Sequence, residues 1–152
     1  MAPRCLVLNE WVLHDLRGDN GVASHETAIR LLVALIERRD QIVVLRGSRW
    51  WHKAYDLMTR TEPAVRIASK LLWLGVLQNA TACKLLEPND VLEAPEELAK
   101  VTPPDDLYLV RTYLAGGAAL LVTSDTRLFQ ALKESVRVSV VMKAEFLREY
   151  VG

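Results

Sequence analysis

Between Pro104 and Asp125 the chain spells out a helix, a stop and a buried strand in only 22 residues. Pro103-Pro104 prevents an earlier helix from running through, Asp105 or Asp106 can cap a new one, and Leu107, Val110 and Leu114 recur at helical spacing. Gly116-Gly117 is a stop. Ala118 to Thr123 then has no charged residue, the pattern of a parallel strand covered on both faces. Such a strand requires helices on each side of its sheet, so it constrains the rest of the chain. Asp125 follows its carboxyl end, the edge at which open α/β sheets bind ligands.

The remaining sequence supplies the other parts. Arg4 to Asn9 predicts a first strand and Glu10 to Leu16 a short helix with Trp11, Val12, Leu13 and Leu16 facing inward. Ser24 is expected to cap a second helix with an Ile29, Leu32, Val33 and Ile36 stripe, and β-branched Gln41 to Leu45 predicts a second strand. Gly47-Ser48 opens a helix to about Met58, and Thr61-Glu62-Pro63 opens another that ends near Gly75. Ala82 to Leu86 and Val136 to Val141 are further strand candidates; Thr126 to Lys133 and Ala144 to Val151 are helices, and a helical turn is expected around Pro95 to Ala99. Strands alternating with helices predict a single domain, residues 1–152, of three-layer α/β/α class around a mostly parallel sheet of four to five strands.

Composition excludes little and directs attention to charge placement. Half the residues are apolar and the formal net charge is zero, yet residues 28–70 hold nine basic against four acidic side chains, and residues 84–106 hold two basic against seven acidic. The basic segment can carry a phosphate backbone or be a solvated helix face. The 13 uncharged residues between Lys70 and Lys84 are too few to span a bilayer, and the apolar run ending at Asn9 is too brief for a signal-peptide core, so a cytoplasmic protein without membrane partners is expected. Cys5 and Cys83 stand alone, without the spacing of a zinc site.

Asn9, Asp106 and Asp125 all fall where a parallel sheet presents its strand ends, with Asp105 as an auxiliary oxygen donor. Each Asp also precedes a helix and can serve simply as a cap. Together these oxygens suit a hard cation, magnesium (Mg2+) or manganese (Mn2+), which activates water and holds a scissile phosphate. Arg49, Trp50, His52 and Lys53, with Trp51 and Tyr55, form the densest aromatic-basic cluster, the composition that holds single-stranded RNA; the competing reading places most of those rings in the core.

The segment LAGGAALLVTSDTRLFQAL, with its Asp-initiated helix and strand ending in Thr-x-Asp, resembles the PIN-domain family of ribonucleases. The first strand and helix resemble it more weakly. The resemblance implies a PIN-like fold and an endoribonuclease cleaving single-stranded RNA with a divalent ion, through catalytic Asn9, Lys53, Asp106 and Asp125. It also implies a homodimer and the toxin role of a toxin-antitoxin pair, with an antitoxin protein as partner. Two departures bear on this. The family expects Asp where this chain has Asn9, and a Glu early in the helix after the second strand, where His52-Lys53 stands. Lys53 is expected to pair with Asp106 or Asp125, or to contact phosphate. The alternative is a catalytically degenerate RNA-binding or protein-interaction module on the same fold. A nucleotide-binding doubly wound domain is disfavoured, because no GxGxxG follows the first strand.

Overall fold

Five short strands, β1 (Cys5–Leu8), β2 (Gln41–Leu45), β3 (Cys83–Leu86), β4 (Leu120–Thr123) and β5 (Val140–Met142), lie parallel in the order β3-β2-β1-β4-β5 in the computed structural model, which describes residues 2–152. The strand alternation sorts the core into two layers. Leu6, Leu8, Ile42, Val44 and Val122 point to one face, and Val7, Val43 and Leu121 to the other. The first face is covered by α1 (Trp11–Arg17), α2 (Val22–Arg38), α3 (Arg49–Leu57), α4 (Pro63–Lys70) and α8 (Lys143–Tyr150). The second is covered by α5 (Glu96–Val101), α6 (Leu107–Gly116) and α7 (Thr126–Leu132). This is the expected three-layer α/β/α architecture, with every strand pair parallel. Among the described residues no helix is long and apolar enough to cross a membrane.

The chain reverses its direction of sheet growth between β1 and β4. From β1 it builds outward through β2 and β3, then returns to place β4 on the other side, in register Leu6 to Leu120 and Leu8 to Val122. A switch of this kind leaves a crevice at the carboxyl ends of the two central strands. Asn9 and Ser124-Asp125 stand at its lip.

Several boundaries differ from the sequence reading for local reasons. Gly117 adopts φ 62, and the amides of Gly117 and Ala118 bond back to Leu114 and Tyr113 at 3.3 and 3.0 Å. That helix-ending motif consumes Ala118, so β4 starts only at Leu120. Gly116 has a different role: a Cβ there would sit 2.4 Å from Val43 Cγ1, so a residue without a side chain is what lets α6 lie on β2. α6 buries Leu109, Val110 and Tyr113, a face turned from the expected Leu107-Val110-Leu114 stripe. α2 begins at Val22, because Gly21, at φ 97, already turns the chain; Ser24 lies inside the helix and Leu31, Leu32 and Leu35 form its buried stripe. α4 runs on as a wider π-helical segment, Leu71–Leu77, past Gly75. β5 is held to three residues by the short β4 beside it, and Val136 is fully exposed.

Candidate functional site

At the crevice, Asn9, Glu10, Trp11, His14, Arg49, Asp106 and Ser124 enclose a polar cleft of about 330 Å3. Asn9 closes β1. Its amide nitrogen donates to Thr123 Oγ1 at 3.0 Å, its Oδ1 accepts from the Glu10 backbone at 2.6 Å, and its own backbone N–H reaches Val122 O at 2.9 Å. Both side-chain ends are therefore engaged, stapling β1 to β4. Thr123 Oγ1 also accepts from the Asp125 amide at 3.0 Å. Asp125 caps α7 through Oδ1, which accepts from Arg127 and Leu128 at 2.8 and 3.4 Å, so its cap reading holds. Asp106 sits at the cap position of α6 but makes no cap bond; Pro104–Asp106 form a 3-10 turn that carries its buried carboxylate into the cleft. Asp105, on the same turn, is exposed.

The central carboxylate is one the sequence reading passed over. Glu10 is buried at the cleft floor, where it accepts from Arg49 Nε at 2.6 Å, Lys53 Nζ at 2.7 Å and the Tyr108 hydroxyl at 2.6 Å. Arg49 and Lys53 lie one helical turn apart on α3, whose N-terminus Ser48 caps by accepting from Trp51 N. The expected Lys53 pairing is thus made with Glu10; Arg49 is the residue that reaches Asp106, at 3.5 Å. Lys53 also donates to His14 Nε2 at 3.0 Å. The other ring nitrogen, Nδ1, lies 3.0 Å from Asp19 Oδ2 and 3.2 Å from Arg17 Nη2. Arg17 grips the same Asp19 and, as the leading cause, pulls its carboxyl down to about 2.

The two buried carboxyls respond in opposite directions. Burial pushes Glu10 up, but the bonds from Lys53, Tyr108 and Arg49 outweigh it and hold the acid below its ordinary value. Burial also pushes Asp106 up, the nearby charge of Asp125 adds to it, and Arg49 only partly opposes the rise. Asp106 and Asp125 open α6 and α7, which cover the same face of the sheet.

Most of the oxygens expected to hold a cation already have partners. Glu10 is occupied by two cations, Asn9 by the backbone and Thr123, and one oxygen of Asp125 by the α7 amides. Among the described residues no three His, Cys, Asp or Glu side chains are grouped to hold a metal. Arg49 and Lys53 already neutralise Glu10, and Arg49 also reaches Asp106.

The aromatic-basic cluster is split by α3. Trp50 faces the core at 4% exposure, so it offers no ring to a ligand, contrary to its expected role. His52 is exposed and turns away from the carboxylates toward Trp51, Tyr55 and Trp73. Sequence reasoning missed Glu10 and Tyr108, each lying within a few residues of a position it did select. Glu10 carries the clearest signal, since it follows Asn9 at the same strand end. No protein-family model, curated protein or solved structure matches the chain.

Proposed function

We propose that this chain is a PIN-like RNA-binding domain whose cleft holds the phosphates of single-stranded RNA on Arg49 and Lys53, with metal-dependent cleavage lost. The observation that carries this reading is the Glu10 network, in which two cations fill the place a divalent ion would need. Arg49 is exposed to 43% and Lys53 to 34%, so each can turn a donor toward an incoming phosphate while the other still neutralises Glu10.

The retained endoribonuclease is the second reading. It is favoured by Asp106, whose buried carboxylate lines the cleft without a cap bond and so has oxygens to offer a magnesium or manganese ion. Homodimerisation and an antitoxin partner rest on the resemblance to the PIN family alone.

A labelled single-stranded RNA incubated with the protein separates the two. The binding reading expects equal affinity in magnesium and in excess chelator, no cleavage in either, and weaker binding by Arg49→Glu and Lys53→Glu. Cleavage that needs magnesium or manganese and disappears in folded Asp125→Asn protein establishes the nuclease instead.

A further inference from the structure

On the far side of α3 from the cleft lies a second concavity, an open groove of about 800 Å3 lined by Arg46, Trp51, His52, Tyr55 and Trp73. Its rings form a connected set. Trp51 and Trp73 meet edge to face with centroids 5.2 Å apart, Tyr55 and Trp73 at 5.4 Å, and Trp51 and Tyr55 at 6.3 Å. Trp73 is the buried floor, anchored by its Nε1–H to Ala54 O at 2.9 Å. Tyr55 is 52% exposed, an unusual state for a ring that has core neighbours available. The Arg46 guanidinium lies 5.2 Å from the Trp51 centroid, a planar group resting on an aromatic face, and its carboxylate partner Glu87 is half exposed like itself.

We infer that this groove stacks the bases of a single-stranded nucleic acid whose phosphates reach the Arg49–Lys53 cleft, an inference that rests on the RNA-binding reading above. Charge selects this occupant over an apolar protein segment. Arg60, Arg66 and Lys70 border the adjoining hollow beside Trp73, whereas the acidic connector packs its helix, α5, against the opposite face of the sheet. The helical repeat of α3 supplies the geometry. Arg49 and Lys53 face the cleft, Trp51 and Tyr55 face the groove, and exposed His52 stands on the ridge between them. A strand crossing that ridge meets cations on one side and rings on the other, the combination by which sequence-tolerant single-strand binders work.

The test is the affinity of a 12-nucleotide fluorescent RNA of mixed sequence for wild type, Tyr55→Ala, Tyr55→Phe, Arg46→Ala and Lys53→Glu, with tryptophan emission recorded alongside. Tyr55→Ala is expected to weaken single-strand binding by about tenfold. Tyr55→Phe should keep it, and bound RNA should quench tryptophan emission. Since Tyr55 and Arg46 are each about half exposed, both variants are expected to fold, and circular dichroism checks that. If Tyr55→Ala and Arg46→Ala bind as wild type while Lys53→Glu weakens binding, the groove inference is wrong and the cleft reading stands. Wild type that binds no RNA overturns both. If Tyr55→Ala instead converts a dimer to a monomer in sedimentation with RNA affinity unchanged, the groove is a self-association surface and the inference fails.

Discussion

Glu10 and Asp106 are buried carboxylates of one cleft whose pKa values shift in opposite directions. Glu10 has a depressed folded-state pKa, so its contribution is present above the ordinary glutamate value and is lost as pH falls through the folded one. Glu10→Gln is expected to cost about 2 kcal/mol at neutral pH, below the cost of breaking a fully buried pair because Arg49 and Lys53 stay partly in water. Urea denaturation at neutral pH and at pH 3 checks this; the gap between the two proteins should shrink in acid. Asp106 has a raised pKa, so stability falls as pH rises from the ordinary aspartate value through the raised one. Asp106→Asn should therefore raise the thermal midpoint at neutral pH. A lower midpoint would show that Asp106 serves the fold.

Among the elements, α6 and α7 are tied to the sheet by single residues whose roles can be measured. Gly116→Ala drives a Cβ into Val43, a β2 side chain with no free space to retreat into, and should destabilise by about 2 kcal/mol. Val43→Ala in the same chain should recover part of that loss, giving a coupling energy in a double-mutant cycle. Asp125→Ala removes the α7 cap and should cost about 1 kcal/mol. That figure matters for the cleavage test, because lost activity in an Asp125 variant counts only if the protein is still folded. The π-helical segment after α4 keeps Leu72, Val76 and Leu77 buried, and it carries Trp73 to the floor of the aromatic groove.

For the whole molecule, a formal net charge of zero conceals an electrostatic axis. The basic stretch builds one helical layer and the acidic connector lies against the other, where Glu97 meets Arg137 at 3.5 Å and Lys100 meets Glu96 at 3.4 Å. RNA affinity should accordingly depend on salt as it does for a basic protein. Each cation removed from the binding face should make the slope of log affinity against log salt shallower by about 0.7. Titrations of wild type, Lys53→Glu and Arg66→Ala between low and physiological salt measure this; an unchanged slope for Arg66→Ala would place the strand off the α4 side.

What the sequence determined by itself was everything that depends on local pattern. The apolar run before Thr123, the β-branched Gln41–Leu45, the proline opening α4, the prolines before α6 and the Gly116-Gly117 stop each act within a few residues, so period and turn chemistry identify strands, helices and a mostly parallel sheet. Strand polarity placed Asn9 and Asp125 just past the carboxyl ends of β1 and β4. Local pattern misjudged rotation: α2 and α6 present faces shifted from their apparent stripes, because both are packed by the sheet and both are apolar well beyond one stripe. Only the tertiary structure decided which charges meet. Glu10, Arg49, Lys53 and Tyr108 come from β1's end, α3 and α6, up to 98 residues apart, and no spacing rule links them. The crossover that sets β4 beside β1 makes them neighbours, and burial then forces a lone carboxylate to find cations.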